Sequence, residues 1–332
     1  MTRSSDRLVF VTGAAGFLGR HVAATFARAG WRVIGLGNGC IESGDRVRLG
    51  LWDWVQGGVD STALRGLIDR HGEPDVVVHA AGGASVQAAI DDPDEDRRRT
   101  VDSTREVLDA LRRRAPRARL VLPSSAAVYG NGHSEPIPET AVPAPISAYG
   151  RHKLRAEELC MAAARQDGQP VTIVRFFSLY GTGLRKQIFW DLWNKFRQGN
   201  RIVLGGTGGE TRDFLHVCDG ARLLLHIAEG AGPTDPPIVN GGTGQATAIR
   251  DAVRMAQRLS GHDAPLVFDG RPRPGDPEHL VAAVDGLAAI GFRRRIALAD
   301  GLADYAPWAD HAARLATPHR ATMAVSRLME AS

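Results

Sequence analysis

The feature that most constrains the fold is a regular alternation of short β-branched segments with helix-like segments in the first 177 residues. We predict strands over residues 7–13, 31–37, 74–81, 118–125 and 170–177, and helices around residues 17–29, 61–71, 94–115 and 147–166. Strands that alternate with helices pair in parallel through right-handed crossovers, and the helices cover both faces of the sheet. The sequence therefore predicts an α/β fold with a doubly wound parallel sheet.

A less regular region follows residue 177, where glycine-rich loops interrupt the alternation. We predict that residues 1–177 form a Rossmann-type dinucleotide-binding domain and that residues 213–240 return to it. Residues 178–310 are expected to form mainly a smaller C-terminal α/β lobe that binds substrate. Residues 311–332 are expected to form a C-terminal tail.

Composition and charge exclude several classes of protein. The 332 residues carry a formal net charge of +4, but the arginine triplets lie among acidic residues, so we predict solvated faces and no nucleic-acid partner. No uninterrupted apolar stretch of about 18 residues is present to span a bilayer, and the first residues lack the apolar core of a signal peptide. We therefore expect a cytoplasmic protein with no membrane partner.

The cysteines and histidines do not predict a metal site. Cys40, Cys160 and Cys218 share no metal-ligand spacing, and their odd number does not favour a disulfide framework. The histidines show no pairing that is typical of metal ligands, so we expect His79, His152 and His216 to be structural. A reducing compartment fits this pattern.

A glycine-rich loop follows the first predicted strand. Gly13, Gly16 and Gly19 form a G-x-x-G-x-x-G arrangement between that strand and a predicted helix. Glycines let the backbone turn tightly and approach a pyrophosphate, while the helix N-terminus offers free N–H groups. The loop therefore predicts a dinucleotide site.

The end of the second predicted strand bears on the choice between NAD and NADP. A carboxylate there would bond both adenosine ribose hydroxyls and repel a 2′-phosphate, but the expected position is Gly37. Asn38 can bond the ribose without discriminating charge, and Arg46 and Arg48 follow closely. We predict NAD and leave NADP open.

Tyr149 and Lys153 are four residues apart in a predicted helix, so their side chains share one face. An ammonium near a phenol favours the phenolate, and we expect the charge of Lys153 and the cofactor ribose together to lower the pKa of Tyr149 from about 10 towards neutrality. Such a phenol can take a proton from a sugar alcohol as hydride leaves the same carbon. Only three of the 41 basic residues are lysines. A lysine at this position therefore indicates that a compact ammonium is required there and that an arginine would not serve.

Several motifs occur in a fixed order along the chain. They are the glycine loop, "HAAG" (79–82), "SSAAVYG" (124–130), Tyr149-x-x-x-Lys153, "RFFSLYG" (175–181), "RDFLHVCD" (212–219) and "RPGD" (273–276). From about residue 8 to residue 309 the chain resembles the extended short-chain dehydrogenase/reductases, in the branch of NAD-dependent nucleotide-sugar epimerases and dehydratases. The likeness to UDP-galactose 4-epimerases is part of this resemblance.

The resemblance implies roles for individual residues. Ser125 would complete a catalytic triad with Tyr149 and Lys153, and Ser124 would lie by the nicotinamide. The implied cofactor contacts are Gly13, Gly16, Phe17, Leu18, Gly19, Asn38, Val59, Ala80, Ala81, Ser124, Tyr149, Lys153 and Phe176. The implied substrate contacts are Ser85, Ser125, Ser178, Arg212 and Arg273, of which the two arginines would grip phosphates through forked donors.

Two alanines narrow the reaction. In the 4,6-dehydratases of this family an Asp and a Glu follow the triad hydroxyl and act as acid and base, whereas Ala126 and Ala127 stand there in this chain. An alanine moves no proton, so 4,6-dehydration is disfavoured, and the decarboxylases of this branch are disfavoured for the same reason.

We therefore predict a nucleotide-sugar 4-epimerase that oxidises C4 of a nucleoside-diphosphate hexose transiently through NAD. The alternatives are an NAD(P)H-dependent reductase of nucleotide 4-keto sugars and a non-catalytic dinucleotide-binding protein. The missing acid at Gly37 keeps the reductase open, while Tyr149 and Lys153 disfavour the non-catalytic protein. The resemblance also implies a homodimer through the helices near residues 94–115 and 147–166.

Overall fold

The computed structural model describes residues 7–83, 85–134, 136–197, 201–230, 237–271 and 277–316. A seven-stranded sheet forms its centre, with strand order β11-β6-β5-β4-β1-β2-β3. Every neighbouring pair in this sheet is parallel. The strands are β1 (Leu8–Thr12), β2 (Arg32–Gly37), β3 (Leu51–Gln56), β4 (Val76–His79), β5 (Arg119–Ser125), β6 (Val171–Phe176) and β11 (Ile238–Gly241).

Helices cover both faces of this sheet. They are α1 (Phe17–Arg28), α2 (Ser43–Leu49), α3 (Ser61–His71), α4 (Val86–Asp91), α5 (Pro93–Arg97), α6 (Ser103–Arg114), α7 (Ala148–Asp167) and α9 (Val217–Ala228). A π-helical turn, Arg98–Asp102, joins α5 to α6. All residues of β1 and β4 are buried, as expected for parallel strands covered on both sides. The predicted doubly wound α/β fold is confirmed.

The strand order creates a crevice beside β1. The chain moves outward from β1 to β2 and β3, and then returns to place β4, β5, β6 and β11 on the other side of β1. Such a switch of direction leaves a crevice beyond the carboxyl ends of the strands, where ligands bind in folds of this type. The edge strand β3 was not predicted, because its exposed Trp52 and its charged Asp53 interrupt the apolar pattern.

Three small sheets lie in the second half of the chain. They contain β7 (Ser178–Tyr180) with β10 (Phe214–His216), β8 (Ile202–Leu204) with β13 (Leu266–Phe268), and β9 (Thr211–Arg212) between β12 (Thr247–Ala248) and β14 (His279–Leu280). The helices of this half are α8 (Gln187–Phe196), α10 (Ile249–Ser260), α11 (Asp285–Ala289) and α12 (Leu298–Ala316). An apolar core of their own holds α8, α10 and α12 together.

The structure also bears on the expected division of the chain. Within residues 213–240, α9 packs against α1, and β11 pairs with β6 in the large sheet. Helix α12 continues past residue 310, and its Ala312 and Ala313 are buried. The beginning of the expected tail is thus part of a packed helix, and residues 317–332 lie outside the described residues. No helix among the described residues is long and apolar enough to cross a membrane.

Candidate active site

A cavity of about 1920 Å³ lies between the carboxyl ends of the large sheet and the second half of the chain. Its walls include the turn between β1 and α1, the ends of β5 and β6, the first turn of α7 and residues of β9 and α8. The cavity is large enough for more than one drug-sized ligand, since single-ligand pockets are typically about 300–1,000 Å³. A dinucleotide and a second substrate therefore have room side by side.

The glycine loop forms one wall of this cavity through close backbone contacts. Gly13 has a φ of +69°, and a Cβ atom there would lie 2.6 Å from the backbone nitrogen of Ala81. A Cβ atom on Gly19 would lie 2.7 Å from the carbonyl carbon of Gly13. Side chains at these places would separate α1 from β1 and β4. The turn leaves the N-terminus of α1 facing the cavity with no acidic residue in its first turn, which fits an anionic pyrophosphate.

The residues expected to contact the cofactor come together in one place. All of them line the same cavity: Gly13, Gly16, Phe17, Leu18, Gly19, Asn38, Val59, Ala80, Ala81, Ser124, Tyr149, Lys153 and Phe176. They derive from the carboxyl ends of six strands and from two helices that are distant in sequence. Together with the glycine cradle, this wall fits a dinucleotide.

The arginines near the end of β2 have other partners. Arg46 donates from Nη2 to the carbonyl oxygen of Trp52 at 2.5 Å and pairs with Asp53. Arg48 pairs with Asp45 at 2.8 Å. Among the described residues neither arginine lines the cavity beside Gly37 and Asn38. Neither of these two arginines is therefore placed against a 2′-phosphate here, whereas the guanidinium of Arg20 lies close by, donating to the carbonyl oxygens of Ala15 and Cys40.

Ser125, Tyr149 and Lys153 converge at the opposite end of the cofactor wall. Ser125 ends β5 and lies next to the hydroxyl of Tyr149, which lies in the first turn of α7. Lys153 lies one turn further along, where its Nζ donates to the carbonyl oxygen of Pro123 at 3.3 Å. The same Nζ is 5.8 Å from the centre of the Tyr149 ring. Thus the three residues that the sequence assigned to catalysis form one cluster.

A glycine fixes the distance between α7 and the end of β5. Ser147 caps α7 by accepting from the backbone nitrogen of Gly150 at 3.1 Å. A Cβ atom on Gly150 would lie 2.5 Å from the carbonyl oxygen of Ala127 and 2.9 Å from Cβ of Pro145. Only glycine lets the first turn of α7 approach this closely, and the approach brings Tyr149 to Ser125.

Burial dominates the charge state of the two ionisable members of the triad. Burial raises the pKa of Tyr149 to about 12, although the interaction with Ser125 acts to lower this pKa. It also lowers the pKa of Lys153 to about 8, while the carboxylates of Asp96 and Glu157 act to raise it. The protein groups alone do not bring the phenol towards neutrality, because burial disfavours the phenolate, so the expected lowering with the cofactor ribose in place stays a prediction.

A buried polar network lies behind the triad. Ser124 donates from Oγ to Glu157 at 2.5 Å, and Glu157 pairs with Arg175 through two parallel contacts. Arg175 also covers the ring of Tyr129, whose hydroxyl donates to Asn240 at 2.7 Å. Ser124, expected to lie by the nicotinamide, lines the cavity but directs its hydroxyl away from it, into this network.

Three of the expected substrate contacts line the same cavity as the glycine loop. Ser85 caps α4, Ser178 lies in β7, and Arg212 lies in β9, and each lines the cavity. Arg212 donates from Nη1 to the carbonyl oxygens of Thr211 and Glu278, which holds its guanidinium group against the backbone. Arg273 lies outside the described residues.

Two alanines follow Ser125 in the wall of the cavity. Ala126 and Ala127 begin a short 3₁₀ turn directly after Ser125 and line the cavity. The described wall next to the triad therefore has a hydroxyl, a phenol and an ammonium for moving protons, and no carboxylate at these two places.

Two residues near the triad were missed by the sequence analysis. Lys186 lines the cavity, and burial together with the charge of Lys153 lowers its pKa to about 8. The scarcity of lysine in the chain is the sequence signal that could have identified Lys186 as well as Lys153. Asp96 is buried beside His152, but it occurs in the acidic run "DDPDED", which reads as a solvated surface. Of the histidines, His79 and His216 are buried, and His79 bonds Thr12 and Ser103.

Among the described residues, no group of three or more His, Cys, Asp or Glu side chains could hold a metal ion. The three cysteines are free thiols.

Comparisons with known proteins agree with this geometry. The NAD dependent epimerase/dehydratase family model matches residues 9–242. The UDP-glucose 4-epimerase of Azospirillum brasilense is 32% identical over 306 residues, which cover 86% of each chain. The UDP-glucose 4-epimerase structure from Thermotoga maritima with UDP-glucose has a TM-score of 0.82 at 25% identity, covering 91% of this chain and 98% of that one. MoeE5 in complex with UDP-glucose and NAD has a TM-score of 0.81 at 30% identity, covering 92% and 99%.

Proposed function

Because the chain belongs to the NAD-dependent epimerase/dehydratase family, we propose that it is a 4-epimerase of a UDP-hexose that uses tightly held NAD. The observation that carries the proposal is the convergence of Ser125, Tyr149 and Lys153 in the cavity that also contains the glycine cradle. NAD bound against that cradle would accept a hydride from C4 of the sugar and return it to the other face of the ring. Such a cycle consumes no external oxidant or reductant.

Each member of the triad has a distinct task. The Tyr149 oxygen takes the proton of the sugar 4-hydroxyl and later returns it, acting as general base and then as general acid. Ser125 bonds both the phenol and the reacting sugar oxygen. Lys153 supplies a positive charge that favours loss of the phenolic proton, and an oxidised cofactor would add to that charge. This help is needed because burial alone holds the phenol in its protonated form.

The residues after Ser125 favour epimerisation over elimination of water. Elimination needs an acid and a base beside the sugar, but Ala126 and Ala127 line the wall there. Hydride transfer at C4 needs only one proton acceptor, and Tyr149 provides it. The proposed substrate contacts are Ser85, Ser178, Arg212 and Arg273, with Arg212 at the diphosphate.

A cofactor release assay tests the proposal. Protein purified without added nucleotide should release NAD on denaturation, and it should interconvert a UDP-hexose and its C4 epimer, followed by NMR, with no nicotinamide added. Tyr149→Phe should retain NAD and lose turnover by at least about 100-fold, since the general base is removed. Tyr180→Phe, which changes a phenol outside the cavity, is the matched control and should keep activity.

The contrary result is also specific. A protein that arrives without cofactor and consumes only a 4-keto sugar with NADPH is a reductase. Such a reductase would use the same three residues, and Gly37 at the end of β2 gives no carboxylate against NADP.

We further propose a cytoplasmic homodimer that packs through α6 and α7, as the family resemblance implies. Sedimentation of the purified protein tests the dimer: a monomer mass across the micromolar range would contradict it.

A further inference from the structure

An acidic residue that does not line the cavity lies directly behind the triad. Helix α5 begins at Pro93, with the Asp92 side chain accepting from the backbone nitrogen of Glu95 at 2.9 Å, and this start turns Asp96 inward. The Asp96 side chain is only 2% exposed. His152, which precedes Lys153 in α7, lies with Nδ1 2.6 Å from Oδ2 of Asp96.

The second oxygen of Asp96 is placed on the side of the cofactor wall. Among the described residues Oδ1 has no hydrogen-bond partner. It occupies the space that a side chain on Gly83 would need. The neighbouring Gly82 faces the catalytic ammonium, since a Cβ atom there would lie 3.3 Å from Nζ of Lys153. Asp96, the Gly82–Gly83 segment and Lys153 are therefore contiguous.

Several charged or titratable groups surround Lys153. They are Asp96 from α5, Glu157 and Tyr149 from α7, His79 from β4 and Lys186 at the start of α8. His79 is a neutral group at ordinary pH, because burial lowers its pKa to about 3. Lys186 adds positive charge.

The two carboxylates are not equivalent. Glu157 is neutralised by Arg175, whose Nη2 lies 2.7 Å from Oε2, and it also accepts from Ser124. Asp96 has only a histidine as its ionic partner among the described residues, so no permanent cation cancels its charge. Of the two carboxylates, Asp96 therefore has the stronger net electrostatic effect on Lys153, because no permanent cation among the described residues neutralises it.

We propose that Asp96, anchored by His152, is a positioning residue that keeps Lys153 in its ammonium form beside Tyr149. It acts through Lys153 and touches neither substrate nor cofactor. This proposal rests on the proposed function in one respect only, namely that the Lys153 ammonium assists proton transfer by Tyr149.

The energetic need for such a residue follows from burial. Removing an ammonium from water favours its neutral form, and a nearby opposite charge restores the charged form by about 1–3 pKa units. With its present neighbours the pKa of Lys153 is about 8, so the group is still mainly protonated at pH 7. Without the Asp96 charge, its pKa would fall further and part of the ammonium would be lost at pH 7.

The scarcity of lysine makes this directly measurable. Protein grown with lysine labelled at Cε should give signals from only Lys153, Lys186 and Lys195, and single substitutions of these lysines assign them. We expect the Lys153 signal to titrate near pH 8 in the wild type and at least about one pH unit lower in Asp96→Asn. Asp94→Asn, the same change on the exposed side of α5, should leave the Lys153 midpoint in place.

A third variant distinguishes the effect of the Asp96 charge from the structural effect of the Asp96–His152 pair. His152→Gln removes the imidazole that bonds Asp96 and retains the carboxylate, so the Lys153 midpoint should stay within a few tenths of a pH unit. If the pair serves only to hold α5 on α7, His152→Gln and Asp96→Asn should lose thermal stability alike and leave the midpoint unchanged, which overturns the proposal. Asp96→Thr, also uncharged, replaces Asp96→Asn if that variant does not fold.

The pH dependence of kcat/KM provides a second test of the role of Asp96. The alkaline limb of kcat/KM should move to lower pH in Asp96→Asn by the same amount as the Lys153 midpoint. An unchanged Lys153 midpoint in folded Asp96→Asn overturns the role of Asp96 even if the enzyme is an epimerase. A shifted midpoint in a protein without epimerase activity upholds that role and rejects the proposed function.

Discussion

Glu157 and Arg175 form an ion pair in which both side chains are only 3% exposed, with Arg175 Nη2 2.7 Å from Glu157 Oε2. The pair joins α7 to β6, and the Ser124 hydrogen bond to Glu157 adds β5. Helix α7 carries Tyr149 and Lys153, and β5 carries Ser125. The ion pair thus connects the two elements that supply the triad.

Loss of one member of this pair should therefore destabilise the protein strongly. Arg175→Met leaves the Glu157 carboxylate buried without its cation, and we expect a loss of about 3–5 kcal/mol in the free energy of unfolding, measured by urea denaturation. Arg155→Met breaks an exposed pair with Glu158 on the same helix and should cost less than about 1 kcal/mol. Equal losses in the two variants would contradict the structural role of the buried pair.

Two helical glycines should respond to alanine in opposite ways. Gly150→Ala places a Cβ atom 2.5 Å from the Ala127 carbonyl oxygen, so α7 must move away from Ser125. We expect kcat to fall by at least about tenfold, because misplacement of a catalytic group by about 1 Å costs up to 100-fold.

Gly66→Ala provides the control for the glycine comparison. Gly66 lies in α3, where a Cβ atom would meet nothing within 4 Å. The change should stabilise the helix by about 0.5–1 kcal/mol through the higher helix propensity of alanine and leave kcat in place. A Gly150→Ala enzyme of normal kcat would show that the close approach is not required.

The stability of the protein should fall in mild acid because of His79. Ser103 donates its hydroxyl to the Arg99 carbonyl oxygen, so its oxygen accepts from His79 Nε2–H, while Thr12 donates to Nδ1. Burial lowers the pKa of His79 from 6.5 to about 3, so the unfolded chain binds a proton that the folded chain does not. The stabilisation is complete above pH 6.5 and is lost as the pH falls towards 3, by about 5 kcal/mol at most.

Unfolding measured between pH 7 and pH 4 checks this behaviour. His79→Gln has no ring to protonate, so its unfolding free energy should depend less on pH over that interval. A variant with the same slope as the wild type would assign the acid sensitivity to other groups.

A carboxylate at the end of β2 should increase the preference for NAD over NADP. A Cβ atom on Gly37 would lie 3.4 Å from Cα of Gly13 and 3.5 Å from Trp54, which is ordinary contact, so aspartate fits there. Gly37→Asp should weaken NADP binding by at least about tenfold and retain NAD, because a carboxylate accepts from the ribose hydroxyls and repels a 2′-phosphate. Titration calorimetry with each cofactor measures this.

Gly66→Asp adds the same charge on the exposed side of α3, where a Cβ atom meets nothing within 4 Å, and it should leave both affinities unchanged. If Gly37→Asp also leaves the NADP affinity unchanged, the adenosine ribose does not lie at the end of β2.

The parts of the site that were predictable from sequence depend on local patterns. The glycine loop between β1 and α1, and the spacing of Tyr149 and Lys153 on one helix face, each follow from residues within a single turn or two. Parallel strand order then brings the ends of β5 and α7 to one edge without further information.

The remaining features depend on contacts between distant segments. Asp96 and His152 are 56 positions apart, and nothing in an acidic run distinguishes the one carboxylate that turns inward. The hydroxyl of Ser124 finds Glu157 because α7 lies across β5, which the strand pattern does not reveal. The raised pKa of Tyr149 arises from its burial, a property of the assembled cavity.

The two halves of the cavity rest on different apolar cores. Helix α7, which presents Tyr149 and Lys153, packs through Ala156 and Cys160 into the core of the large sheet. Phe214, two residues after Arg212, belongs to the core of α8, α10 and α12. The proposed proton-transfer residues and the proposed diphosphate contact thus rest on different apolar cores, so we expect substitutions in the second core to change the affinity for the sugar nucleotide more than the geometry of the triad.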